Sequence, residues 1–192
     1  MSGHDSKVKA NHLEIEQSCM KDYENLSEKE LRIHLAASYR LVEEFGWSFL
    51  IFGHLTARIP GPNKHFLINP YGLMYDEVTA SNLVKIDLEG NIIDQTNWDV
   101  NPAGFIIHSA VHSSKTDAHC VMHTHTNAGM AMAGLKKGLI NIDFSGSAFH
   151  NRVAYHDFEG VTLREDECKR IANNLGNKSI MVLRNHGLLT TG

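Results

Sequence analysis

An amphipathic helix is the clearest pattern in the first part of the chain. Apolar side chains recur there at helical spacing, at Leu31, Leu35, Val42 and Phe45. Ser27 precedes the run as an N-cap, and Glu30 occupies the reciprocal position of a capping box. Gly46 follows the last apolar residue, where a glycine commonly ends a helix. The pattern therefore predicts a helix that starts after Ser27 and ends at Gly46.

The next stretch alternates between polar and apolar residues, which is the pattern of a strand with one buried face. Residues 54–59 alternate in this way, a Pro-Gly-Pro turn follows, and residues 65–68 form the returning strand of a predicted hairpin. Alternation resumes over residues 84–93 around a Glu-Gly-Asn turn, which predicts a second hairpin.

The second half mixes helices and strands. Its predicted elements are a helix capped by Asn101 with Pro102 at its first position, an apolar strand over 120–125, a helix over 127–135 capped by Thr126, a helix capped by Thr162 and ended by Gly176, and an apolar strand over 180–183. This order predicts one α/β domain with a mainly antiparallel sheet. We assign residues 1–25 to a weakly ordered lead-in and residues 26–192 to the domain. We also expect the domain to be truncated at its C-terminal end, because the sequence stops soon after a strand and its turn.

Composition narrows the class of protein. The chain has 192 residues, of which 42% are hydrophobic and 21% charged, as in an ordinary globular domain. A net charge of -4 gives no basic footprint for nucleic acid, and the longer apolar runs are interrupted, so no membrane association is expected. The N-terminus lacks the apolar stretch of a secretion signal, and three scattered cysteines indicate a reducing compartment. We therefore predict a cytoplasmic protein.

Histidines carry the strongest chemical signal, with 13 in the chain. His123 and His125 stand two apart at the end of an apolar strand, so both imidazoles point to the same side. His186 follows another apolar strand, and Gly187 beside it allows a close backbone approach. The alternative is a pair of polar residues on a solvated strand face. The two strand ends make a metal site the second interpretation, and the pattern alone does not decide between them.

Six segments in this order resemble the class II aldolase/adducin family over residues 27–192. They are FGHLTAR at 52–58, NPAGF at 101–105, HSA at 108–110, HTHT at 123–126, VAYHD at 153–157 and LRNHGL at 183–188. The resemblance implies a three-layer αβα sandwich, a homotetramer with sites at subunit interfaces, and a divalent metal held by His123, His125 and His186. Zinc is the first choice of metal and manganese the second.

The chain departs from the aldolases of that family in the catalytic residues. Their base is a glutamate four residues before a helical histidine, which here is His108, and Gly104 stands in the place of the base. Their phosphate-binding serines correspond to Pro102 and Ala103, and an active-site asparagine to His54. A phosphorylated ketose is therefore disfavoured as substrate.

Other residues are candidates for proton transfer and for substrate binding. The candidate proton carriers are His150, Tyr155 and His156, and the candidate substrate-binding residues are His54, Arg58, Gly104 and His108. Four of them have a structural alternative: Tyr155 as a half-buried strand residue, His156 bonded to Asp157, His108 as a satisfied histidine behind the metal, and Arg58 in a surface ion pair.

Two functions follow from these observations. The first is a metal-dependent lyase that performs aldolase, decarboxylase or epimerase chemistry on a small, oxygenated, non-phosphorylated substrate. The second is a non-catalytic oligomerisation module like the adducin head. We prefer the enzyme, because a pure scaffold does not need three converging histidines.

Overall fold

The computed structural model describes residues 22–161 and 164–192. Most of the predicted lead-in and the predicted cap Thr162 lie outside these residues. The helices are α1 (Glu28–Glu44), α2 (Pro102–Ser114), α3 (Asn127–Ala133), α4 (Phe144–Ser147) and α5 (Glu165–Leu175), with a 3-10 turn at Tyr75–Glu77. The strands are β1 (His54–Arg58), β2 (Phe66–Ile68), β3 (Val84–Ile86), β4 (Cys120–Thr124), β5 (Val153–His156), β6 (Ile180–Leu183) and β7 (Gly187–Thr191).

Helix α1 begins and ends as its sequence predicts. The Ser27 hydroxyl accepts from the Glu30 amide, and the Ser27 amide donates to the Glu30 carboxylate at 2.9 Å, which completes the capping box. Gly46 follows the C-cap with a left-handed φ of 64°. Phe45 differs from expectation: it is 60% exposed, because the helix ends before it and the buried face stops at Val42.

The seven strands form one sheet in the order β3-β2-β1-β4-β7-β6-β5. Only the β5–β6 pair is parallel; the other five pairs are antiparallel, as predicted. The first predicted hairpin is present, while the second is reduced to a single bridge between Ile86 and Ile92. Strand β7 was not predicted, although it pairs along the central strand β4.

Helices cover both faces of the sheet. Val121 packs in the cluster formed by α2 and α5, whereas the next residue, Met122, packs against the cluster of α1. In the same way Met181 faces α5, while Val182 packs with Ala133 of α3. Because neighbouring strand residues point to opposite faces, α2 and α5 form one outer layer and α1 and α3 the other. The fold is therefore the predicted three-layer αβα sandwich.

Candidate metal centre

Three histidines converge where β4 ends and where β6 turns into β7. One nitrogen from each of His123, His125 and His186 lies within 4.8 Å of the others. The Nε2 atoms of His123 and His125 are 2.9 Å apart, and the three rings are separated by 4.7 to 4.8 Å between centroids. We call this group the His triad. The structure thus brings together the three ligands that the sequence proposed.

The main chain orients the innermost ring of the triad. Nδ1 of His123 lies 2.9 Å from the carbonyl oxygen of Leu188. A carbonyl only accepts, so Nδ1 carries the proton and Nε2 presents a lone pair toward His125. A backbone partner of this kind is what fixes a metal-binding histidine in position.

Burial keeps the triad uncharged near neutral pH. Burial lowers the pKa of His123 well below its ordinary value of 6.5, and neighbouring histidines lower it further. Burial also lowers the pKa of His125 and brings that of His186 to about 4. A metal requires neutral imidazoles, so the donor set fits a divalent cation.

Gly187 permits the close packing of the triad. A Cβ at this position would lie 2.5 Å from the carbonyl oxygen of Thr124 and 3.0 Å from the ring of His125. Any side chain here would push β4 away from β7. The expectation that Gly187 serves a close backbone approach is confirmed.

One side of the triad opens toward solvent. His125 and His186 are half-buried, whereas His123 is buried. The exposed rings of Phe49 and Phe52 each lie 6.2 Å from the ring of His125, and Phe52 stacks nearly parallel to it. Two partly exposed aromatic side chains therefore border the more exposed side of the triad.

His54 and Gly104 form a tightly packed pair beside the triad. His54 lies opposite His123 in the β1–β4 pairing, with the two rings 6.5 Å apart. A Cβ on Gly104 would lie 2.9 Å from three atoms of the His54 ring. The imidazole therefore fills the space into which a side chain at position 104 would extend. Burial lowers the pKa of His54 to about 4.

One ring nitrogen of His108 is paired with a side chain, and the other has no partner among the described residues. It is fully buried on α2, and its Nδ1 lies 2.7 Å from the Thr56 hydroxyl, which also contacts His112 Nε2 at 2.8 Å. Nε2 of His108, however, has no hydrogen-bond partner. Thr56 and His112 were missed because single polar residues in apolar elements carry little signal in a sequence.

Arg58 lies four residues from His54, at the other end of β1. Its guanidinium donates to the carbonyl oxygens of His112, Lys115 and Ala118, at 3.1 Å for the last two. These carbonyls lie at and beyond the end of α2, so Arg58 ties the helix terminus to the sheet. Its partners are main-chain oxygens rather than the carboxylate of the predicted surface ion pair.

His156 pairs with Glu167, which sequence reasoning missed, and not with Asp157. Its Nε2 lies 3.4 Å from the buried Glu167 carboxylate, and its Nδ1 lies 2.9 Å from the Asn174 amide. Asp157 instead pairs with Arg184 at 3.3 Å. The signal for Glu167 was its position four residues before the buried Ile171, on the apolar face of α5.

The structure does not bring Tyr155 or His150 into the triad. The Tyr155 hydroxyl accepts from the Leu139 amide at 3.1 Å, and Arg184 lies over its ring at 4.6 Å. Tyr155 precedes His156 on β5 and so faces the opposite side of the sheet. His150 is exposed, with Nδ1 3.1 Å from the Asn141 amide.

Comparison with known proteins identifies the family of this chain. Residues 33–192 match the family model described as Class II Aldolase and Adducin N-terminal domain. The chain belongs to this family. Class II aldolases commonly depend on a divalent metal, which is consistent with the donor set described above.

Relatives within the family differ in what their names say. An aldolase II superfamily protein of Pseudomonas syringae is 50% identical with a TM-score of 0.84, covering 87% of this chain and 68% of its own. An L-fuculose 1-phosphate aldolase of Glaciozyma antarctica is 33% identical with a TM-score of 0.75, covering 86% and 64%. Alpha-adducin of Rattus norvegicus is 49% identical over 86% of this chain, which spans only 23% of that protein.

No helix among residues 22–161 and 164–192 combines the length and the apolar character needed to cross a bilayer.

Proposed function

We propose that this chain is the metal-binding domain of a lyase-type enzyme that acts on a small, oxygenated, non-phosphorylated substrate. The observation that carries the proposal is the convergence of three neutral imidazoles with one side open to solvent. Three protein ligands with an open position are typical of a catalytic rather than a structural metal site.

A bound divalent cation would act as a Lewis acid toward a substrate oxygen. His123, His125 and His186 would hold it through one ring nitrogen each. An all-imidazole set favours zinc, with manganese as the second candidate because it prefers oxygen ligands. Phe49 and Phe52 would shield the bound substrate on the open side.

A phosphorylated substrate is disfavoured by the start of α2. Pro102 has no amide proton, and the Ala103 amide donates to the Asn101 side chain at 3.0 Å. Gly104 offers no carboxylate, and the space beside it is occupied by His54. None of these groups is therefore available to bind phosphate or to act as a base.

An adducin-like oligomerisation module is the second candidate. It is favoured by the identity to alpha-adducin and by exposed apolar side chains such as Ile142, which is 82% exposed, and Phe144, which is 93% exposed. Such side chains are typical of surfaces that associate. With either function we propose a homotetramer in the cytoplasm. Light scattering tests the tetramer, and a monomer at micromolar concentration would contradict it.

Metal analysis separates the two candidates. We expect about one zinc or manganese ion per chain after purification without chelators, and a lower melting temperature after chelation. His186→Ala should abolish binding, while His150→Ala, which alters an exposed histidine outside the triad, should leave it intact. Absence of metal even after reconstitution would refute the enzyme proposal and favour the module.

A further inference from the structure

Two neighbouring imidazoles in the site each have a buried nitrogen without a partner. Nδ1 of His54 and Nε2 of His108 make no hydrogen bond within the described structure. Both side chains are more than nine-tenths buried, and their rings lie edge to face, 6.0 Å apart between centroids. A buried polar atom without a hydrogen bond lowers the stability of the fold, so we expect each of these nitrogens to have a partner.

The helix cap fixes the proton position on His54. The Asn101 side-chain oxygen accepts from the Ala103 amide at 3.0 Å and so caps α2. The amide nitrogen of Asn101 must then face His54 Nε2, which lies 3.2 Å away. Because an amide nitrogen only donates, Nε2 of His54 accepts, and its proton resides on the unpartnered Nδ1. His54 therefore presents a donor.

A chain of hydrogen bonds fixes the proton position on His108. Nη2 of Arg58 has two protons, which it donates to the carbonyls of His112 and Lys115, leaving none for His112 Nδ1. His112 Nδ1 therefore donates to the Ala118 carbonyl at 3.3 Å, and its Nε2 accepts from the Thr56 hydroxyl. The Thr56 oxygen must then accept from Nδ1 of His108. Nε2 of His108 is consequently unprotonated, and its lone pair can accept a hydrogen bond.

We propose that a single hydroxyl oxygen binds between His54 and His108. It would accept from Nδ1–H of His54 and donate to Nε2 of His108, at about 2.8 Å from each nitrogen. A carboxylate or phosphate oxygen cannot donate to His108, and a metal ion cannot bind a protonated nitrogen. Only a group that both donates and accepts satisfies the pair.

The hydroxyl can come from water or from a substrate. Water would fill the position in the resting protein whether or not a metal binds. A substrate hydroxyl would replace it during turnover if the substrate bound at the triad extends past His123, whose ring lies 6.5 Å from that of His54. This second assignment rests on the proposed function, and it defines the substrate class as a hydroxylated molecule.

Asn101 gives the sharpest test of the proton positions. Asn101→Asp keeps the helix cap but replaces the donor with a carboxylate oxygen, so the His54 proton should move to Nε2. Asn101→Ser keeps the cap without imposing that change and serves as the matched control. In protein labelled with ¹⁵N-histidine, long-range ¹H–¹⁵N spectra should show Nδ1 protonation of His54 in the native chain and Nε2 protonation in Asn101→Asp, while the control should retain the native fold.

The bridging oxygen itself is tested by crystallography of the metal-free protein at a resolution that shows ordered water. Density for one oxygen within hydrogen-bonding distance of both nitrogens supports the proposal. An empty gap, a direct bond between the two rings, or Nε2 protonation of His54 in the native chain would overturn it. Since no metal is present, this result stands apart from any failure of the proposed function.

Glycolate and acetate distinguish the two sources of the hydroxyl. They share a carboxylate and differ in one hydroxyl, so calorimetry on the zinc-loaded protein isolates that group. About tenfold tighter binding of glycolate in the native chain, lost in Asn101→Asp, supports the substrate hydroxyl. Equal binding, with the oxygen present in the crystal, supports water as the resident group. The substrate assignment is then wrong.

Discussion

Gly104→Ala tests the packing of His54 against α2 with the smallest possible change. The new Cβ would lie 2.9 Å from three atoms of the His54 ring, closer than carbon atoms pack. The ring cannot easily move, because it is buried and its Nε2 is bonded to Asn101. The strain must therefore be taken up by the helix, by the strand or by the loss of that hydrogen bond.

The size of the effect follows from two opposing contributions. Overpacking by one methyl group in a filled interior costs roughly 1–3 kcal/mol. Replacing glycine by alanine within a helix recovers up to about 1 kcal/mol. We expect a net loss of about 1–2 kcal/mol, equivalent to a melting temperature lower by roughly 2–8 °C for a chain of this size.

A double-mutant cycle with His54→Ala assigns the cost to the pair. With the ring removed, Gly104→Ala should be neutral or stabilising, which gives a coupling energy of about 1–3 kcal/mol. Gly134→Ala is the matched control, because a Cβ there would meet only carbonyl oxygens at 3.5 and 3.6 Å. Urea unfolding at one protein concentration measures the native chain, the three variants of the cycle and the control. An equal cost of Gly104→Ala with and without the His54 ring would refute the reasoning.

Two further predictions follow from the site. The metal-free protein should lose stability as the pH falls from 6.5 through about 4, because burial lowers the pKa of His54 to about 4 while the unfolded chain takes up the proton near 6.5. That difference is worth on the order of 3 kcal/mol for His54. Urea midpoints should show the decline, and His54→Asn should make it shallower, because the triad histidines still contribute. A native profile that does not change with pH would contradict the prediction. The zinc-loaded protein should not cleave L-fuculose 1-phosphate, and the Glaciozyma antarctica enzyme serves as the positive control. Gly104→Glu should not restore cleavage, because the His54 ring occupies the space that the glutamate side chain needs. Efficient cleavage by the native chain would exclude the proposed substrate class.

The parts of the fold that depend on local signals were predictable from sequence. The cap at Ser27, the proline start of α2 and the left-handed Gly46 each act through neighbouring residues, and each is present as predicted. The second hairpin fails because Ile92 makes one bridge and no ladder. Strand β7 was missed because its pairing with β4 joins residues more than 60 positions apart, which no local pattern records.

The site shows the same division between local and distant information. The two-residue spacing of His123 and His125 placed them together correctly, and His186 was found through its own strand end. The packing of the His54 ring on Gly104 was not predictable, because it depends on how α2 lies across β1. The orphaned nitrogen of His108 likewise emerges only once its neighbours are known.

The position of β7 in the sheet determines when the triad can exist during folding. His125 follows β4 directly, whereas His186 belongs to the turn before β7, 61 residues later in the chain. The two meet only when β7 pairs with β4, so the triad cannot form until this long loop has closed. An ion bound by the triad would crosslink these distant segments in the folded sheet. Its main kinetic effect should then be to slow unfolding, leaving the rate of folding little changed.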